Sequence, residues 1–335
     1  VKPDSGISVM ITGTGAAVPD RVLTNRELEK TLDTTGHWIV QRTGIQERRI
    51  AGGRTATFHL AAAAAGRALR DARVAPEEVD LILVATSTPD QFTVPTAGLV
   101  QEALGADRAA AFDLSAACAG FPYGLATGAQ FIRAGVYRTV LVVGAEIFSR
   151  IVNWRDRSTA ILFGDGAGAV VLRPASSGAL WYSHLGADGR GADILKVPAG
   201  GSRLLASEET VRQGLQYIHM NGREVFKFGV RVMEEELRLA MEQCGLYPEQ
   251  IDLFVPHQAN LRMIETAVER LGLPRDRVYV NIQRYGNTSA ASIPIALDEA
   301  ARCGCLAPGS VVAMVGFGAG LTWGTCLATY RSAAG

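Results

Sequence analysis

Three residues in this chain have the types and settings needed for nucleophilic chemistry, and Cys118 comes first. It lies in Phe112-Asp113-Leu114-Ser115-Ala116-Ala117-Cys118-Ala119-Gly120-Phe121, after the apolar run Ala109 to Leu114 and before Gly120 to Ala134, which carries no charge until Arg133. The run reads as a buried strand and the stretch after it as a buried helix. Free amide N–H groups and the positive end of a helix dipole at such a junction favour a thiolate, the nucleophilic form of cysteine. The competing reading is an inert packed thiol, since free cysteine is among the most buried residue types. Two stretches farther along bear on that choice. Pro256-His257-Gln258-Ala259-Asn260 and Tyr285-Gly286-Asn287-Thr288-Ser289 each follow an apolar, strand-like run. Alone, His257 would be a structural histidine and Asn287 a helix N-cap. At matched loops, they offer a thiol an imidazole and an amide donor that never ionises. Gly316-Phe317-Gly318-Ala319-Gly320 adds backbone N–H groups of the kind that form an oxyanion hole.

The elements that must position these groups follow a repeating order. Ser8 to Gly13 is β-like, and Gly13-Thr14-Gly15-Ala16-Ala17-Val18-Pro19 reads as a tight turn, because a dinucleotide fingerprint would need a third glycine and no proline. Thr24-Asn25-Arg26-Glu27 can cap a short helix, and the segment His37 to Ile45 carries Trp38 and Arg42, suited to stacking on and pairing with a nucleotide. Thr57 to Ala72 is an alanine-rich helix, Asp80 to Thr86 a buried strand, and Ser87 to Pro95 a loop. After the Cys118 strand and helix come a strand from Thr139 to Gly144 and the glycine-rich Gly164 to Gly168, expected as a hairpin-like turn before Val170 to Leu172. Pro174 to Gln216 reads as a connection with a surface excursion. The order then restarts: helix Arg223 to Gln243, strand Ile251 to Pro256, strand Val278 to Ile282, helix Ser289 to Arg302, strands Val311 to Val315 and Gly324 to Tyr330. Two halves of like order imply a duplicated α/β unit, with loops after equivalent strands converging on one site.

Composition limits the alternatives. The 335 residues are 48% hydrophobic, enough for two intimate halves with a shared core. The 33 basic and 33 acidic residues balance, so no global field argues for nucleic acid or an anionic membrane. Only four of the basic residues are lysine, a bias that suggests a GC-rich genome. Five scattered cysteines, no signal peptide and no apolar run of ~18 residues point to a reducing cytoplasm. Cys303-Gly304-Cys305 lacks a second pair and a neighbouring histidine, so no metal site is expected and these two are read as helix-end packing residues.

Ser115 to Gly120, His257 to Asn260, Gly286-Asn287-Thr288-Ser289-Ala290 and Gly164 to Gly168 together resemble the ketoacyl synthase III family of the thiolase superfamily, and the match runs from Gly13 to the final strand. The resemblance implies a thiolase-like duplicated five-layered αβαβα fold, with halves at 1–178 and 179–335, and a homodimer. It implies that Cys118 takes an acyl group from acyl-CoA and that malonyl on an acyl carrier protein then loses CO2 and attacks the acyl-enzyme. On this comparison His257 and Asn287 donate to the malonyl thioester oxygen, and the N–H groups of Cys118 and Ala319 hold the acyl oxyanion; the family usually has glycine at Ala319. Trp38 and Arg157 would sandwich the adenine, Arg42 would meet the phosphates, Phe226 would line the pantetheine tunnel, and Lys227 and Arg262 would dock the carrier protein, Arg262 also meeting CoA. Val94 would reach the acyl pocket of the dimer partner, Met220 would lie near the pocket mouth and Phe317 would line it. Valine where acetyl-specific members have phenylalanine suggests a longer or branched primer. No bound cofactor is implied.

A priming condensing enzyme is the reading these observations favour, for fatty acids or an aromatic polyketide, with a lean toward an actinobacterial pathway-specific primer. Its rivals are an acyltransferase delivering to a hydroxyl or amine without condensation, a Cys/His hydrolase, and a silent partner subunit. Retention of both His257 and Asn287 argues against simple transfer, which needs a general base more than two enolate donors.

Overall fold

The apolar runs of the first half are continuous because both faces of the sheet they build are covered. The computed structural model describes residues 7–175 and 179–330. In the first half these are β1 (Ser8–Ala17), α1 (Gly36–Thr43), α2 (Thr57–Ala72), β2 (Leu81–Ala85), α3 (Thr96–Leu104), β3 (Ala110–Leu114), α4 (Gly120–Arg133), β4 (Val140–Ile147) and β5 (Asp165–Ala175). Leu81 and Leu83 of β2 enter one core with Phe121, Leu125, Ala129 and Ile132 of α4, while Ile82 and Val84 enter another with the alanines of α2. Alternation of side chains along a strand sends neighbours to opposite faces, so every β2 position is apolar.

The second half supplies β6 (Trp181–Ala187), α5 (Gly222–Cys244), β7 (Leu253–Pro256), α6 (Leu261–Leu271), α7 (Ser292–Arg302), β8 (Val311–Gly318) and β9 (Thr322–Thr329). The first sheet runs β1-β5-β4-β2-β3 and the second runs β6-β9-β8-β7, whose three pairings repeat the first three of the first sheet in the order antiparallel, antiparallel, parallel. Strands of both sheets share one core with α4 and α7, which therefore lie between them. Helices α2 and α3 cover the outer face of the first sheet, and α5 and α6 that of the second. This is the five-layered αβαβα duplication expected from the sequence. The expected boundary after residue 178 falls at 176–178, outside the described residues; β5 ends at Ala175 and β6 begins at Trp181. Among the described residues no helix is long and apolar enough to cross a membrane.

Several local expectations are overturned. Gly13 to Ala17 is not a turn but part of β1, where a Cβ on Gly15 would lie 2.3 Å from the Ala64 carbonyl oxygen of α2. The hairpin-like turn expected at Gly164 to Gly168 is likewise absent, because Asp165 to Gly168 begin β5; a Cβ on Gly168 would meet the Ile295 amide of α7 at 2.6 Å. Glycine in both places serves close packing of helix on strand. The supposed connection from Pro174 contains β6, an edge strand of the second sheet. Strand Val278 to Ile282 does not form: one bridge joins Val278 to Phe254, and the Gln258 side chain takes over the neighbouring bonds, donating to the Tyr279 carbonyl at 3.3 Å and accepting from Asn281 N at 3.1 Å. Strand β3 is a partly exposed edge, with Phe112 36% accessible. Cys303 and Cys305 are exposed, so they do not pack a helix end.

Candidate active site

Cys118 sits in a tight turn, Ala117–Ala119, between β3 and α4. Ala117 adopts a left-handed φ of 47°, an uncommon state for a residue with a side chain. The pseudo-equivalent turn before α7, Ser289–Ala291, begins on Ser289 with φ 51°. Strand β8 presses against the first turn through bare glycines: a Cβ on Gly318 would lie 2.7 Å from the Cys118 amide nitrogen. The thiol is buried, and burial pushes its pKa up to about 12; a hydrogen bond with Ser289 pulls it down and the charge of Glu146 pushes it up.

His257 follows β7, its backbone N–H donating to the Val315 carbonyl of β8 at 2.8 Å. The ring is buried, with Nδ1 2.7 Å from Ser292 Oγ at the start of α7. Ser292 Oγ already accepts from the Gln258 N–H at 3.3 Å. The tautomer with its proton on Nε2 lets Ser292 Oγ donate to Nδ1 while it accepts from Gln258, and it is the one assigned to His257. Burial lowers the pKa of His257 to about 3, so at neutral pH the ring is an uncharged N–H donor. Phe317 stands edge-on to it, centroids 5.3 Å apart.

Asn287 is fixed from both sides. Its N–H donates to the Leu162 carbonyl at 2.8 Å, its own carbonyl accepts from Gly164 N at 3.0 Å, and its Oδ1 accepts from Ser289 N at 2.8 Å. With the amide oxygen committed, the NH2 end is left to donate. Cys118, His257, Asn287, Met220, Phe317 and Leu321 line one narrow cavity of about 30 Å³, joined by Phe163, Leu195, Val225, Phe228, Ala259 and Gly318. The fold thus gathers the three reactive groups together with the expected pocket residues Met220 and Phe317. Ala319 follows Gly318, its carbonyl accepting from Thr322 Oγ1 at 2.9 Å.

The other expected site residues form a rim. Arg157 lies over the Trp38 ring at 4.9 Å and donates to the Asp33 carbonyl at 2.8 Å. A planar base entering between the two would therefore have to part them. The Arg42 carbonyl accepts from Asn260 Nδ2 at 3.1 Å, tying α1 to the N-cap of α6. Arg262 lies over Phe226 at 6.0 Å, and the neighbouring Lys227 pairs with Glu224 at 2.9 Å. Val94 is exposed on the loop after β2 and is not among the residues lining the Cys118 cavity. In that loop Phe92 is 90% accessible.

Sequence reasoning missed Glu146, Ser289 as a hydroxyl, and Ser292. Glu146 ends the otherwise uncharged run Val140–Ile147, and a lone acid in such a buried strand was the available signal. It is fully buried and accepts from Ser87 N at 3.0 Å, Thr88 Oγ1 at 2.7 Å and Ser289 Oγ at 3.0 Å. Burial pushes its pKa up to about 7 against these bonds. Among the described residues no group of three or more His, Cys, Asp or Glu is arranged to hold a metal.

A scaffold that brings a cysteine from one half against a histidine and an asparagine from the other defines a thiolase-like acyl transferase working through a protein thioester. Comparison with known proteins narrows the class. The family model described as 3-Oxoacyl-[acyl-carrier-protein (ACP)] synthase III matches residues 112–189, and that for its C-terminal part matches 241–330. The beta-ketoacyl-[acyl-carrier-protein] synthase III of Caldanaerobacter subterraneus subsp. tengcongensis is 55% identical over 95% of this chain and 96% of its own. Among solved structures, 3-oxoacyl-[acyl-carrier-protein] synthase III from Aquifex aeolicus VF5 is 47% identical with TM-score 0.89, covering 96% of this chain and 100% of that one. The priming beta-ketosynthase of the R1128 polyketide pathway is 37% identical with TM-score 0.91, covering 99% of each. The chain belongs to the beta-ketoacyl-[acyl-carrier-protein] synthase III family of condensing acyltransferases.

Proposed function

We propose that the protein primes chain building by two half-reactions at Cys118. The thiolate attacks a short-chain acyl-CoA, CoA leaves, and the acyl group stays on sulfur; malonyl on an acyl carrier protein then loses CO2, and its carbanion takes the acyl group to give the 3-ketoacyl carrier protein. The observation that carries this is the meeting of Cys118, His257 and Asn287 around one cavity. Decarboxylation builds negative charge on the malonyl thioester oxygen, and two fixed neutral donors, His257 Nε2–H and the Asn287 NH2, stabilise it more than the ground state. The amides of Cys118 and Ala319 are assigned to the acyl oxyanion, supported by the bare Gly318 beside the Cys118 N–H.

Trp38, Arg157 and Arg42 are assigned to the nucleotide, Phe226 and Arg262 to the pantetheine arm and phosphates, and Lys227 with Arg262 to an acidic carrier protein. The residue ranges 1–178 and 179–335 are taken as the two halves. A homodimer accounts for the open edge of β3 and for exposed Phe92 and Val94, which would lie against the partner. Valine at 94 favours a primer longer or more branched than acetyl. The 55% identical relative supports a fatty-acid starter, and the 37% identical priming ketosynthase keeps an aromatic polyketide starter as a second reading. Acyl-CoA and the carrier protein are substrates, no resident cofactor is invoked, and the assigned compartment is the cytoplasm.

Intact-mass spectrometry with a panel of acyl-CoAs, followed by malonyl carrier protein and a CO2 assay, tests this. The expected result is an acyl adduct that is absent from Cys118→Ala and is converted to 3-ketoacyl carrier protein with release of CO2. An adduct that persists with malonyl carrier protein would point to transfer without condensation, and release of free acid to a hydrolase.

A further inference from the structure

We propose that Cys303 and Cys305 form a thiol–disulfide exchange site, held ready by the turn that ends α7 and reversibly oxidised to a Cys303–Cys305 disulfide by small-molecule disulfides. Neither residue lines the Cys118 cavity, so the site stands apart from the acyl chemistry.

The chain builds the pair locally. Helix α7 ends with the Cys303 N–H donating to the Glu299 carbonyl at 2.9 Å. Gly304 then takes a left-handed φ of 76°, the usual stop after a helix and one that glycine adopts without steric cost. The reversal is closed by the Leu306 N–H, which donates to the Ala300 carbonyl at 3.1 Å. It carries Cys305 back against Cys303, and the two Sγ atoms hydrogen-bond at 2.8 Å. Closing that gap to a disulfide takes a shift of under about 1 Å. Both residues are exposed, so a dissolved disulfide can reach them.

The two sulfurs are unlike. Cys303 Sγ lies 3.4 Å from the Ala300 carbonyl, and the carbonyl end of α7 works against negative charge there. Desolvation also raises its pKa, yet hydrogen bonds from the Cys305 side chain and N–H and from the Tyr279 hydroxyl outweigh it, and the net shift is downward. The hydrogen bond to Cys303 raises the pKa of Cys305, which keeps its proton longer. Cys118, Cys244 and Cys326 are all shifted upward by burial. Cys303 is therefore the attacking thiolate and Cys305 the thiol that resolves. A structural disulfide is the other use of a cysteine pair, but a bridge enclosing one residue removes little chain entropy.

The exchange balances with the small-molecule disulfide as oxidant. The Cys303 thiolate attacks one of its sulfurs, the S–S bond breaks, and one small thiolate leaves. Cys305 loses its proton to that thiolate and attacks Cys303 Sγ, which expels the second small thiolate. The protein pair gives up two electrons, the small disulfide is reduced to two thiols, and the protons of Cys303 and Cys305 end on them by way of water.

Oxidised and reduced glutathione at fixed ratios serve as the probe. The full chain is equilibrated with them, quenched with acid, alkylated, and read by intact mass and peptide mapping. No acyl-CoA or carrier protein is present, so the outcome is independent of whether condensation occurs. We expect the loss of two hydrogens confined to Cys303 and Cys305, reversed by dithiothreitol, with little mixed disulfide. Cys305→Ser should instead accumulate one glutathione on Cys303, and Cys303→Ser should react about tenfold more slowly. In urea, where the turn is lost, the exchange constant of the parent should fall by about tenfold. Two separate glutathione adducts on the folded parent, no reaction at either thiol, or the same constant in urea would overturn the site.

Discussion

The Ser289 N–H donates to Asn287 Oδ1 at 2.8 Å, and this one bond decides which end of the Asn287 amide is free to face the cavity. Asn287→Asp keeps the shape and the bond to Ser289 but replaces the NH2 donor with a second acceptor. Charge developing on the malonyl thioester oxygen would then meet a carboxylate. Decarboxylation of malonyl carrier protein should fall by about 10²- to 10³-fold, the loss expected from one oxyanion donor. Acylation of Cys118 by acyl-CoA, read by intact mass, should fall far less, and an equal fall in both would remove Asn287 from its decarboxylation role.

A second prediction concerns pH. His257 donates as a neutral ring, and its pKa is lowered to about 3 by burial, so acidification from pH 8 to pH 5 should leave its donation to the malonyl oxygen intact. Malonyl decarboxylation by pre-acylated enzyme should therefore be flat over that range. Ser292→Ala removes the hydroxyl that orients Nδ1 at 2.7 Å and should cost about tenfold in the same assay, because either ring nitrogen can then carry the proton. A decarboxylation rate that drops through pH 6.5 would show that His257 titrates as an ordinary imidazole.

Much of this site was legible because its chemistry is carried by residue type after apolar runs: Cys118 and His257 follow strands, Asn287 follows a run that forms none, and duplication still brings the three loops together. What escaped was the supporting hydroxyl and carboxylate network. Ser289 and Ser292 look like ordinary helix-start residues, and their partners lie far away in sequence, Glu146 being 143 positions from Ser289. Glycine was the other source of error. Gly13, Gly15 and Gly168 suggested turns, yet their purpose is to let helix backbone approach a strand, a contact that exists only after the layers pack. The missing strand at Val278 failed for a similar reason: backbone pairs that segment with β7 only at Phe254, and beyond it the side chain of Gln258 takes over.

Gly318 gives a third test. A methyl group there would lie 2.7 Å from the Cys118 amide nitrogen and 3.0 Å from its Cβ, so Gly318→Ala must displace the turn that carries the thiol. Acyl adduct formation should slow by about 10²-fold, as expected when an attacking group is moved by about an ångström. Gly309→Ala is not a fair control because φ there is 94°, whereas Gly53→Ala meets open space and should keep the parental rate. Parental acylation by Gly318→Ala would show that the turn is pliable and the amide unimportant.

Glu146 also leaves a mark on stability. Its folded pKa of about 7 lies above the ordinary 4.5, so the native state binds the extra proton. That contribution is fully present below pH 4.5 and is lost as pH rises through 7. Glu146→Gln, which stays neutral, should lose nothing over this window. The difference in unfolding free energy between the variant and the parent should grow in the variant's favour by up to about 3 kcal/mol from pH 4.5 to about pH 8, measured by urea denaturation. His257, with its depressed pKa, acts in the opposite sense in both proteins, weakening the fold as pH falls below 6.5, and cancels in the difference.

The proposed roles of Lys227 and Arg262 can be told apart by experiment. Lys227 is an exposed partner of Glu224, whereas Arg262 leans over Phe226 at 6.0 Å. A solvent-exposed cation contributes mainly to the encounter with an acidic surface, and salt screens that contribution. Lys227→Glu should therefore raise the KM for malonyl carrier protein by about tenfold at low salt, with the difference shrinking as salt is added. Its acylation by acyl-CoA should remain at the parental rate. Arg262→Glu should raise the KM for both substrates, since the proposed function assigns its guanidinium to CoA as well as to the carrier protein. Steady-state kinetics of the two half-reactions at two ionic strengths checks both variants. If Lys227→Glu weakened acyl-CoA and malonyl carrier protein equally, the lysine would belong to the CoA site instead.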